Sequence, residues 1–189
     1  MTRLAGRSLP RLSDGHRLPG REDRTTPAAV LIPIVNRPDG LTMLLTQRSD
    51  TLPDHPGQVS FPGGRREPGD KSFAETALRE SEEEIGLERS RVEIMGEVGR
   101  YETVSGYVVT PLVGWVEPPF DIVADPIEVA LVFEVPLSFV LDPANYVQNQ
   151  REVAGRNRHF FSCTYDNHYI WGATAAMILL FYYVLTLEI

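Results

Sequence analysis

The sequence predicts an α/β/α sandwich built around a mixed β-sheet. Apolar segments of strand length are interleaved with two main helical segments, one central and one terminal, and a layered fold needs that alternation to cover a sheet. The chain has 189 residues, enough for one domain with a sizeable core and too few for two comfortable ones. Its composition, 42% hydrophobic and 23% charged, is that of an ordinary globular protein.

Taken in order, residues 1–26 mix arginine with leucine, proline and glycine and show no clear period. No apolar core of secretory length follows the first charges, so a flexible basic arm is expected there and a single domain over 27–189. Residues 28–35 form a continuous apolar run that reads as a buried strand, and Asn36-Arg37-Pro38-Asp39-Gly40 is turn chemistry. A second strand over 41–47 would leave Arg48 and Ser49 at its end, where a sheet can present them to a ligand. A glycine-rich loop, Phe61-Pro62-Gly63-Gly64-Arg65-Arg66, then leads toward a helix over 72–85.

Beyond that helix, 92–104 and 107–116 read as strands hinged at Ser105-Gly106, and 117–126 as a proline-rich acidic loop. A strand over 127–135, a short helix over 136–141 and a late hairpin of 146–153 with 159–165 follow. His159 and His168 have no partner at metal-ligand spacing and read as structural or surface residues. The last segment, 173–187, is apolar nearly all the way round but shorter than the roughly 18–20 residues that span a bilayer. It is expected as a buried core helix, with a homodimer interface or an interfacial membrane contact as the alternatives.

The central helix carries the chemistry. Asp70 or Ser72 can cap its start and Gly86 suits the left-handed residue after its end. At about 100° per residue, Phe73, Ala74, Ala77, Leu78 and Ile85 fall on the arc expected to meet the core. Glu80, Glu83 and Glu84 share a neighbouring arc and should line a groove at the edge of that core. Like charges one turn apart, at the negative end of the helix dipole, are locally unfavourable without a cation. An all-oxygen donor set with no nearby Cys or His suits Mg²⁺ or Mn²⁺ rather than structural zinc. Arg79 can pair with Glu75 or Glu83 one turn away, orient a ligand carboxylate, or both. A P-loop is excluded, because Asp70 intrudes between Gly69 and Lys71 and breaks the required spacing.

Gly64-x5-Asp70-x8-Arg79-Glu80-x2-Glu83-Glu84-x-Gly86-Leu87 resembles the Nudix box, the loop-helix-loop of hydrolases of nucleoside diphosphates linked to another moiety. Asp70 stands where that pattern has Glu, one extra residue precedes the arginine, and Ser81 replaces an aliphatic residue. Upstream, Leu44-Leu45-Thr46-x-Arg48-Ser49 and Gly57-x-Val59-x-Phe61-Pro62-Gly63-Gly64 resemble the narrower signature of the Nudix coenzyme A diphosphatases. The resemblance implies an α/β/α fold and metal-dependent hydrolysis of coenzyme A and its acyl thioesters to 3′,5′-ADP and (acyl-)4′-phosphopantetheine. Arg79, Glu80, Glu83 and Glu84 would then be the catalytic set, with the three glutamates holding the metal. Arg48, Ser49, Gly63, Gly64 and Arg65 would bind substrate. It also implies an extra carboxylate from the acidic loop, with Glu128 the first candidate before Asp121 or Asp125. ADP-ribose, nucleoside triphosphates and a non-catalytic nucleotide sensor remain the alternatives.

Net charge is −8, with six arginines against three acids in residues 1–24 and −11 on the rest. An acidic body argues against nucleic acid binding through a broad basic surface and fits metal-assisted phosphate chemistry on a small molecule. The one cysteine, Cys163, excludes an internal disulfide and suits a reducing cytoplasm.

Overall fold

The computed structural model describes residues 11–13, 20, 23, 25–153 and 155–186. Its first strands are β1 (Arg11–Ser13), β2 (Thr26–Arg37), β3 (Gly40–Arg48), β4 (Val59–Ser60) and β5 (Gly63–Arg65). Helix α1 (Phe73–Ile85) follows, then β6 (Val92–Glu97), β7 (Arg100–Glu102), β8 (Tyr107–Val116) and β9 (Val129–Pro136). The chain ends in a one-turn helix α2 (Leu137–Val140), strands β10 (Val147–Val153), β11 (Arg156–Tyr165) and β12 (His168–Trp171), and helix α3 (Gly172–Thr186).

Nine strands form a mixed sheet with the order β1-β7-β8-β2-β3-β4, onto which β5, β6 and β9 pair through β2, β8 and β3. β2 runs parallel to β8 and antiparallel to β3, which it meets through the tight turn at Pro38-Asp39. Because side chains alternate across a strand, the apolar runs of β2 and β3 bury residues on both faces. Ile32, Ile34, Met43 and Leu45 face α3 and a separate antiparallel sheet of β10-β11-β12, where Cys163, Ile170 and Ile178 complete the core. Leu31, Val35 and Leu44 face α1, through Ala77 and Ile85, and residues Phe120 and Ile122 of the acidic loop. The predicted α/β/α sandwich is therefore the observed architecture, with a small second sheet sharing one outer layer.

Several boundaries differ from the sequence expectation. The strand expected over 92–104 is two strands, broken at Val98-Gly99, where Gly99 takes φ +147°. β11 begins at Arg156 rather than 159, and β12 extends the hairpin to three strands. The glycine-rich loop contains β5, whose Gly63–Arg65 pair antiparallel with Ala28–Val30. Of the expected basic arm, Arg11–Ser13 is a strand paired in parallel with Arg100–Glu102, and most of the remainder lies outside the described residues.

α3 buries Ala175, Ile178 and Leu180 and exposes Tyr183 and Leu185, and no helix among the described residues is long and apolar enough to cross a membrane. His168 stacks on Phe133 with centroids 3.7 Å apart, joining the two sheets. Cys163 is buried, and burial pushes its thiol pKa up, away from a reactive thiolate.

Candidate active site

The site forms where β5 crosses the last turns of α1. Gly63 adopts φ +153°, and a Cβ there would lie 2.4 Å from the carbonyl oxygen of Ala29, so only glycine lets β5 lie this close to β2. That approach aims the Gly63 N–H at Glu84 Oε2, 3.1 Å away. At Gly64 a Cβ would fall 2.5 Å from the carboxylate of Glu80. Two successive glycines thus bring backbone against two carboxylates of the helix.

α1 itself is well terminated. Ser72 Oγ accepts from Glu75 N at 3.1 Å, and Gly86 ends the helix at φ +66° with its N–H on the Glu82 carbonyl. Asp70, the other candidate cap, is buried and accepts instead from Arg79 Nε (3.1 Å), Thr76 Oγ1 (2.9 Å) and Glu67 N (2.9 Å). The hydrogen bond from Arg79 is the main reason its carboxyl is held well below the usual range. The buried side of α1 is Thr76, Ala77, Ser81, Glu84 and Ile85, rotated from the predicted apolar arc, and Leu78 is only half-buried. The polar members are satisfied locally: Ser81 Oγ donates to the Ala77 carbonyl at 2.7 Å, so a hydroxyl can occupy a fully buried position.

Arg79 collects the acidic groups around it. Beyond Asp70 it reaches Glu80 Oε1 and Glu83 Oε2, each at 2.9 Å, and donates to the Arg65 carbonyl at 3.1 Å. Its pKa is raised, chiefly by the hydrogen bond to Asp70. The three glutamates expected in one groove therefore sit in three environments. Glu84 is 5% exposed, Glu80 is half-buried and Glu83 reaches solvent.

Burial pushes the Glu84 carboxyl up to about 8, and the charges of Glu80 and Glu128 add to the rise. The Gly63 N–H and the Arg48 charge oppose it without cancelling it. Glu80 is raised too, first by burial and then, against Arg79, by Glu83 and Glu128. A carboxylate this buried with so little compensation is expensive to ionise. Among the described residues no three acidic, histidine or cysteine side chains are grouped so as to hold a metal ion, and Arg79 pairs with Glu80 and Glu83. Glu80, Glu84 and Glu128 would nevertheless offer a hard divalent ion an all-oxygen donor set, the charge of Glu128 adding to the cost of ionising both Glu80 and Glu84.

The remaining sequence-selected residues are placed by the loops. Arg48 follows a bulge in β3; its Nε is buried with no acceptor among the described residues, and its charge acts on Glu84. Ser49 is buried, its hydroxyl 2.8 Å from Thr51 Oγ1 and its N–H on the Glu128 carbonyl at 2.9 Å, which ties this loop to the turn that carries Glu128. The Arg65 side chain is exposed, and its contribution here is its carbonyl. Asp125 shapes the turn, donating its N–H to the Glu84 carbonyl (2.9 Å) while its carboxylate accepts from Ile127 N (2.9 Å). That turn delivers Glu128, the first auxiliary candidate, to the electrostatic reach of both Glu80 and Glu84. Sequence reasoning missed Asp70 as the anchor of Arg79; the signal was its position before the helix, where capping was the simpler reading.

With this geometry in view, residues 25–161 match the NUDIX domain family. The chain is 43% identical over 156 residues to the uncharacterized Nudix hydrolase NudL of Photorhabdus laumondii, covering 82% of this chain and 83% of that protein. It is 45% identical over 151 residues to the NudL of Yersinia enterocolitica, covering 80% and 77%. Among solved structures, the C. elegans Ap4A hydrolase binary complex superposes with TM-score 0.51 at 20% identity, over 59% of this chain and 80% of that one. The MutT protein of Methanosarcina mazei gives 0.50 at 24% identity, over 64% and 83%. These two likenesses concern the fold alone.

Proposed function

The chain belongs to the Nudix family of hydrolases of nucleoside diphosphate derivatives, and we propose that its substrate is coenzyme A together with its acyl thioesters. The products would be 3′,5′-ADP and (acyl-)4′-phosphopantetheine. The observation that carries this reading is the way the upstream signature meets the box. β3 and β4 pair Thr46 with Ser60, and Arg48 N donates to the Gln58 carbonyl at 2.9 Å. The Leu44–Ser49 and Gly57–Gly64 segments are thus one structural unit, with Arg48 at one edge and Gly63 at the other, both acting on Glu84.

In this reading Glu80, Glu83 and Glu84 hold Mg²⁺ or Mn²⁺, with Glu128 beside them. Such an ion supplies neutralisation of the diphosphate and a stronger water nucleophile at neutral pH. The protein's own groups do the rest. Asp70 keeps the Arg79 guanidinium against Glu80 and Glu83 and so fixes where those carboxylates lie. Arg48 brings to the rim a partly buried cation whose Nε has no acceptor among the described residues, suited to a phosphate oxygen. The backbone of β5 keeps the approach to Glu84 narrow. In the metal-free protein burial pushes the Glu84 carboxyl up to about 8, so a cation seated beside it would favour its ionised form. We assign the activity to residues 27–189, with 1–26 as a basic arm, and place it in the cytoplasm on the strength of its single buried cysteine.

The test is hydrolysis of coenzyme A by purified protein with Mg²⁺, with Mn²⁺ and with EDTA, the products resolved by chromatography. Metal-dependent release of 3′,5′-ADP is expected. Cleavage of ADP-ribose or a nucleoside triphosphate but not coenzyme A would discard the substrate and keep the site. Nucleotide binding without any cleavage would make the domain a sensor.

A further inference from the structure

The three-stranded sheet has an inward and an outward face, and its register sorts the residues between them. Cys163 pairs with Ile170, both buried, so that face meets the core. The other face carries the partners Arg151 and Arg158, Arg156 opposite Val153, Phe160 opposite Asn149, and Tyr169 and Trp171 opposite Thr164 and Ser162. Three arginines and three aromatic rings therefore share one surface of a chain whose net charge is −8. Among the described residues of the three strands no carboxylate projects from it: Glu152 is on the opposite face of β10, and Asp166 is in the β11–β12 turn.

The arrangement has an order along the strands. The arginines occupy one end and the rings the other, with Phe160 edge-on to Trp171 at 5.5 Å and Trp171 near-parallel to Tyr169 at 6.4 Å. Arg151, Arg156 and Arg158 make no ion pair among the described residues. Arg158 Nε and Nη1 are buried with no acceptor, a costly state for a charged donor. Neither the rings nor these arginines belong to the site around Glu84, and Phe160, Tyr169 and Trp171 do not pack on either core cluster.

We propose that this face binds single-stranded nucleic acid, its bases stacking on Tyr169, Trp171 and Phe160 and its phosphates pairing with Arg151, Arg156 and Arg158. Aromatic side chains on an open sheet accept the face of any base, and unpaired arginines beside them supply the anion sites that a stacked strand requires. From Arg156 to Thr164 the face runs about 26 Å at about 3.3 Å per residue, room for a short strand rather than one mononucleotide. The acidity of the whole chain disfavours a broad basic surface, but this patch is local and free of acids.

The experiment is fluorescence anisotropy with a fluorescein-labelled ten-nucleotide single-stranded RNA of mixed sequence, titrated with full-length protein in EDTA. Wild type should bind with an affinity whose log–log salt slope is about −2, three phosphates at about −0.7 each. R151Q/R156Q should flatten the slope to about −0.7, and Y169A should weaken binding about fivefold or more without changing the slope. Metal-dependent hydrolysis in these variants should stay at the wild-type level, which separates this inference from the catalytic reading. Absence of saturable binding, equal binding of a blunt duplex of the same sequence, or full binding by both variants would overturn the proposal. Binding to anionic phospholipid vesicles without binding to RNA would overturn it too and assign the face to a membrane surface.

Discussion

Two acids at opposite ends of β3, one half-buried and one buried, meet opposite fates. At the Gly40 end, Glu134 of β9 accepts from Arg37 Nε at 3.1 Å, from Arg37 Nη2 and from the hydroxyl of Thr42. Burial alone would push its carboxyl up, but those hydrogen bonds and the Arg37 charge together outweigh burial, and its pKa is lowered. At the Arg48 end, Glu84 has a single backbone donor and two acidic neighbours, and its pKa is raised to about 8. The same chemical group is thus a brace in one place and an unsettled charge in the other. The lesson is that burial marks a site only where compensation is withheld.

Breaking the unsettled end should have the largest effect. E84Q is expected to lower metal-dependent turnover by about 10³-fold or more while the fold survives, measured by product release and by circular dichroism. The pH dependence sharpens the contrast. The folded pKa of Glu84 lies above its unfolded value of about 4.3, so the native state binds more protons between them. Its favourable contribution is fully present below the unfolded value and is lost as pH rises through about 8, in metal-free protein. Glu134 has the opposite sign: its contribution is present above the unfolded value and lost as pH falls through its lowered folded value. Urea midpoints of wild type, E84Q and E134Q from about pH 2 to about pH 9, without metal, should show those two slopes disappear one at a time.

Next in size is G63A, because backbone rather than a mobile side chain opposes the new Cβ. A loss of about 3 kcal/mol is expected from the urea midpoint. R37M should cost about 1–2 kcal/mol, discounted because both partners are partly exposed, and leave turnover unchanged. The smallest effect belongs to G64A. The three atoms nearest its Cβ all belong to the movable carboxylate of Glu80, so stability should change by less than about 1 kcal/mol while turnover falls about fivefold. A G64A protein as unstable as G63A would show that β5 is packed more rigidly at Gly64 than the contacts indicate.

What could be read from the sequence follows the same division. The long apolar runs of β2, β3 and β8 announce themselves because burial on both faces leaves a continuous pattern. β4, β5 and β12 span two to four residues and carry no pattern of their own; their pairing partners define them. In the site, the glutamates of α1 are visible as residues that repel one another on one arc. Their separation into buried, half-buried and exposed is not, since it depends on β5 closing over Glu84 and on Arg79 being anchored from Asp70. Glu128 is the first candidate among the acids of its loop, ahead of Asp121 and Asp125, on resemblance rather than on any pattern of its own. The docking of Asp125 onto the end of α1 brings Glu128 within electrostatic reach of Glu80 and Glu84, which the sequence could not show.

The most direct test of the central claim, that Glu84 is the uncompensated charge that seats a divalent ion, is Mn²⁺ binding followed by electron paramagnetic resonance at pH 7.5. Wild type and E134Q should bind Mn²⁺ alike, and E84Q should bind at least about tenfold more weakly. Equal affinity in E84Q and wild type would contradict the account and move the ion away from Glu84.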